Sequence, residues 1–205
     1  MIPERFVTEY PERCGQLLDM LESPARDADL LGSFALLVAS AAFTIPFGRM
    51  VEKAHPLGPP EDALYKAVDS LKKLSFADSP FWGGAKPGFF RYAKIVTDPE
   101  DSIGWLNERG EHPLESMEVK DAKIVLRLIR NGLAHGNVVY LDEDGYETAG
   151  KRMVYLAFLS RHDSGNGFRV AIFDEDSFLV FLKGWIGWLQ AFPLERQLAL
   201  AEAAE

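Results

Sequence analysis

The stretch VKDAKIVLRLIRNGLAHGNVVYL, Val119 to Leu141, changes its period partway along, and that change decides the fold. Up to His135 the apolar residues Ala122, Val125, Ile129 and Gly132/Leu133 recur at helical spacing, so one face of a helix points into a core. Gly136 follows the last periodic residue, where a left-handed glycine commonly stops a helix. Val138 to Leu141 is short and β-branched, which predicts a strand. On a wheel of about 100° per residue, Lys120, Lys123, Arg127, Arg130, Asn131 and His135 share the half of the helix opposite the apolar face. This cationic strip holds an imidazole, a guanidinium and an amide within one turn and a half. Asn131 and His135 are four residues apart and can meet on one face, whereas Arg130 and His135 diverge by roughly 140°.

Working outward, the chain before this stretch reads mostly as helix. Pro3 to Leu21 carries Phe6, Tyr10, Leu17, Leu18 and Leu21 at helical spacing, with Pro11 expected to kink or break it. Asp27 and Asp29 are expected to start a second helix running to a bend or stop near Pro46. Leu30 to Phe47 contains no charged residue, and Gly32, Ser33, Ser40, Thr44 and Pro46 within it favour a helix buried on all sides over a membrane span. Glu61 to Leu74 returns to helical spacing. Phe81-Trp82-Gly83-Gly84 is expected to be an irregular loop packed by its rings, with short helices over Phe89 to Val96 and Glu100 to Arg109.

After His135 the runs Val138 to Leu141, Met153 to Leu159 and Phe168 to Phe173 are separated by glycine-bearing turns, and they predict a small antiparallel sheet. Asp142-Glu143-Asp144 falls in a hairpin turn, where solvation accounts for the acids. Asp174 is placed to cap a last helix whose Phe178, Phe181, Leu182, Trp185, Trp188 and Leu189 form one broad aromatic face. The tail after Pro193 predicts a short helix or a frayed end. The expected class is therefore mainly α: a helical bundle, residues 1–205 as one domain, with residues 137–173 forming a β-meander inserted before the C-terminal helix.

Composition narrows the function. A chain of 205 residues with 47% hydrophobic content can bury a sizeable core. Cys14 is the only cysteine, and no leader-like segment opens the sequence, so a cytoplasmic protein without disulfides is expected. The net charge of −9 disfavours indiscriminate nucleic-acid binding and leaves any such role to a local basic patch. Glycine loops that cradle phosphates, paired cysteines and a histidine-glutamate zinc helix do not occur, and His55, His112, His135 and His162 are dispersed. Neither a metal nor a cofactor is expected.

Ile129-Arg130-Asn131-Gly132-Leu133-Ala134-His135-Gly136 resembles the signature of the HEPN superfamily, in which an arginine and a polar residue are followed after a short spacer by a histidine. The resemblance implies an α-helical domain with the motif late in the bundle. It also implies metal-independent endoribonuclease activity, of the kind found in toxin-antitoxin, abortive-infection and RNA-processing systems. Arg130 takes the place of the family's arginine, Asn131 of its polar residue and His135 of its histidine. Gly136 and Asn137 depart from the x-Tyr that follows the histidine in one toxin branch. Under this reading His135 transfers protons, Arg130 offsets transition-state charge and Asn131 orients the imidazole or the phosphate, while Lys123 and Arg127 hold the RNA backbone. The reaction needs a base and an acid together, and a homodimer facing two motifs supplies both. A cognate antitoxin is a further expected partner. The alternative is a non-catalytic RNA- or protein-binding regulatory module, which would act through its dimer and the aromatic C-terminal face.

Overall fold

A computed structural model describes residues 6–51, 62–71, 73–82, 89–93, 115–148, 150, 152–161 and 168–202. Two helices open the chain, α1 (Phe6–Asp27) and α2 (Leu31–Ala39). A π-helical turn (Ser40–Thr44) leads without a break into α3 (Ile45–Val51), and α4 covers Asp62–Leu71. Strands β1 (Phe89–Ala93) and β2 (Glu115–Ser116) precede α5 (Ala122–His135). The chain continues through β3 (Val138–Leu141), β4 (Tyr155–Arg161) and β5 (Phe168–Asp174) into α6 (Glu175–Glu202). The protein is mainly helical, with one antiparallel sheet in the order β2-β1-β5-β4-β3.

The meander β3-β4-β5 lies where the turn signals put it, but the sheet is larger than expected. Phe89–Ala93 is a strand and not a helix: its aromatic run suits a pleated surface, and it covers the free edge of β5 with Phe90 opposite Ala171. Glu100 to Arg109 lies outside the described residues. Fully buried Leu156, Phe158, Ala171 and Phe173 turn toward the helices, while Leu141, Ala157, Val170 and Ile172 form a second buried cluster on the opposite face. A sheet buried on both faces explains why β5 reads as a continuous apolar run rather than an alternating one.

The aromatic face of α6 is the centre of the core. Phe178, Phe181 and Trp185 are fully buried and meet Phe43, Phe76, Phe81 and Phe173 at ring-centroid distances from 4.9 to 6.2 Å. That face is therefore not a surface on which a partner could dock. Gly184 lets α6 approach closely, since a Cβ there would stand 2.0 Å from the Phe81 carbonyl oxygen. Phe81 and Trp82 are both buried, as a loop packed by its rings requires.

Several local signals are overridden by distant contacts. Pro11 and Pro24 lie inside α1, and α6 runs on through Pro193. Pro46 does not end its helix either. A proline at 46 cannot donate to the carbonyl of residue 42, and the buried indole of Trp185 donates to that Ala42 oxygen instead, at 3.1 Å. The π turn ends at Thr44, two residues before this proline. Asp27 and Asp29 do not start α2. Its Gly32 N–H is met by the Glu175 carboxylate at 2.9 Å, and Asp29 pairs with Arg152. Asp174 does cap α6, accepting from the Ser177 N–H and hydroxyl at 2.7 Å each. Asp142 is not solvated: it is 2% exposed, and its Oδ1 accepts the N–H groups of Asp144 and Tyr146, which shapes the turn after β3.

The uncharged segment from Leu30 onward is only half enclosed. Leu37 is 72% exposed and Leu30 and Ile45 are exposed as well, while Leu31, Ala35, Val38 and Phe43 are buried. Leu31–Gly48 is long and apolar enough to cross a membrane by length and composition, and half of it is buried inside the protein.

Candidate functional site

The site is built on α5. A 3-10 turn (Met117–Val119), capped by the Ser116 hydroxyl accepting from the Glu118 N–H, leads into the helix. Ala122, Val125, Leu126, Leu128, Ile129 and Gly132 are buried, which leaves the predicted strip on the other side. Gly132 permits contact with β4, because a Cβ there would lie 3.1 Å from the Phe158 ring. Gly136 has φ +68°, and its N–H and that of Asn137 both bond to the Gly132 carbonyl, so the helix ends as the glycine predicts. The Asn137 carbonyl then accepts the Leu159 N–H at 3.0 Å, fastening the helix end to β4.

The structure joins Arg130 to Asn131 and Asn131 to the sheet. Arg130 Nη1 donates to Asn131 Oδ1 at 3.0 Å, and Asn131 Nδ2 donates to Ser160 Oγ at 3.3 Å. A guanidinium carries donors only, so the amide oxygen must be the end that faces it. Arg130 and Asn131 are half-buried, whereas Lys123, Arg127 and His135 are exposed. Among the described residues, these three exposed side chains make no hydrogen bond or ion pair, and no hydrogen bond links His135 to Asn131 or Arg130. Lys120 does not belong to the strip: it precedes α5 in extended backbone and is tied to Glu115 at 2.7 Å. Arg130 and Asn131 thus form a fixed pair, with the imidazole about one turn further along at the solvent-facing helix end.

Ser160 is the participant that sequence reasoning missed. It lies 29 residues from Asn131, and only its place on β4 hints at a role: Leu156 and Phe158 on the same face are apolar, and Ser160 ends that row with a hydroxyl. Its partner across the sheet is Arg169, half-buried on β5, so a second arginine side chain leaves the sheet on the same face. Among the described residues, no group of three or more His, Cys, Asp or Glu could hold a metal ion.

No protein-family model matches the chain, and no curated protein or solved structure matches it.

Proposed function

We propose that this protein is a metal-independent endoribonuclease of the HEPN type, acting as a homodimer in a cytoplasmic toxin-antitoxin or phage-defence system. The observation that carries the reading is the solvent-facing strip of α5. In a chain of net charge −9 it gathers exposed Lys123, Arg127 and His135 beside the hydrogen-bonded Arg130–Asn131 pair. Burial of the α6 aromatics favours it over a regulatory module that would dock through that face.

In the proposed reaction the imidazole of His135 takes the proton of an RNA 2′-hydroxyl, and the 2′-oxygen attacks the adjacent phosphorus. The bond to the 5′-oxygen breaks, and a second copy's His135 returns a proton to the leaving oxygen. A 2′,3′-cyclic phosphate and a 5′-hydroxyl result. Arg130 stabilises the charge on the five-coordinate phosphorus, and Asn131 holds the guanidinium through its amide oxygen. Lys123 and Arg127 hold backbone phosphates to either side. One helix presents one imidazole, and the reaction uses two, which is why the dimer belongs to the proposal.

Incubation of an RNA oligonucleotide with the protein in EDTA tests this directly. Cleavage to cyclic-phosphate ends is expected, abolished by a 2′-deoxy substitution at the scissile nucleotide and lowered at least about 100-fold in Arg130→Ala. Cleavage that survives the 2′-deoxy substitution would remove the mechanism.

A further inference from the structure

Ser160 of β4 bonds a side chain of the site directly. Arg130 draws the oxygen end of Asn131, which leaves the nitrogen end to find an acceptor, and that acceptor is the Ser160 hydroxyl. Without it, the amide keeps its bond to the guanidinium but loses its anchor on the sheet. The hydroxyl stands on a firm mount: Leu159, the residue before it, bonds through its N–H to Asn137 just past the helix end, so two successive residues of β4 grip the last turns of α5. Behind them Leu156 and Phe158 are fully buried.

We propose that Ser160 is the positioning residue of the Arg130–Asn131 pair, so that the sheet, through β4, sets where the guanidinium meets the scissile phosphate. What the guanidinium does there rests on the ribonuclease reading. That Asn131 is tied to both Arg130 and Ser160 rests on two hydrogen bonds of the structure.

Two readouts on the full chain test this together: the side-chain NH2 resonances of Asn131 in the 15N-labelled protein, and kcat and KM for RNA cleavage. Ser160→Ala should move the NH2 pair toward the position of a solvent-exposed asparagine and lower its heteronuclear NOE. It should also reduce kcat about five- to tenfold, the worth of one neutral hydrogen bond, with KM within about twofold. Ser160→Thr, whose hydroxyl suits a strand, should keep both values. His135→Ala should abolish cleavage and leave the NH2 pair in place. Unmoved NH2 resonances in Ser160→Ala, an unchanged kcat, or a threonine variant that behaves like the alanine one would each overturn the assignment. If the wild type cleaves no RNA while the NH2 pair responds, the ribonuclease reading falls and the holding of Asn131 stands. If it cleaves while the pair is unresponsive, the reverse holds.

Discussion

The hydrogen bond from Trp185 to Ala42 gives the fold its sharpest test, because the need for it is created by a particular residue. Pro46 has no N–H to offer the Ala42 carbonyl, and the buried indole supplies one at 3.1 Å. Trp185→Phe removes that donor and strands a buried carbonyl, at a cost of about 1–3 kcal/mol. The smaller ring, in a site ringed by Phe43, Phe47 and Phe81, adds about 1 kcal/mol of lost packing. Pro46→Ala returns a backbone N–H to position 46, so in that background the carbonyl has another donor and only the packing cost should remain. The double-mutant cycle should therefore show a coupling of about 1–3 kcal/mol, with Trp185→Phe less harmful when proline is absent. Urea unfolding followed by far-UV circular dichroism measures all four variants, with a second probe checking for a single transition. Costs that add to within about 0.5 kcal/mol would refute the account of how the helix passes through Pro46.

Gly184→Ala should destabilise by about 3 kcal/mol or more, since its Cβ would meet Phe81 backbone at 2.0 Å. Gly187→Ala, with nothing within 4 Å, should stabilise by about 0.5–1 kcal/mol, and thermal melts of the pair separate the two. Burial holds the Glu175 carboxyl above the ordinary carboxylate range, against the opposing pull of the Gly32 N–H and Arg152. The folded state then binds this proton more tightly than the unfolded one, so the contribution to stability is full at low pH and is lost as pH rises through the raised folded value. Glu175→Gln keeps an acceptor for Gly32 and should be the more stable form at pH 7, with the difference vanishing below about pH 4 in pH-resolved unfolding.

What could be read in the sequence follows the range of the forces involved. Helix α5 and its stop at Gly136 rest on periodicity and on one glycine's backbone freedom, both local, and so do the three strands that follow. Proline was a poor guide because its missing N–H can be replaced from elsewhere in the chain, as Trp185 does for Pro46. Capping misled in the same way: the carboxylate at the start of α2 comes from Glu175, 143 residues away. Strand β1 needed β5 beside it before its aromatics could be told from a helix face. In the site, the wheel placed Arg130, Asn131 and His135 on one strip, but it could not say that Asn131 turns to Arg130 and Ser160, because the second partner stands on β4, 29 residues away.

The claim that two copies of His135 act together in RNA cleavage without metal is tested most directly by diluting wild-type subunits with His135→Ala subunits at constant total concentration. The initial cleavage rate is followed in EDTA after the subunits have exchanged. The account predicts a rate that falls as the square of the wild-type fraction, leaving about one quarter at equal mixing and none in the pure variant. A linear fall, or cleavage persisting in pure His135→Ala, would contradict it.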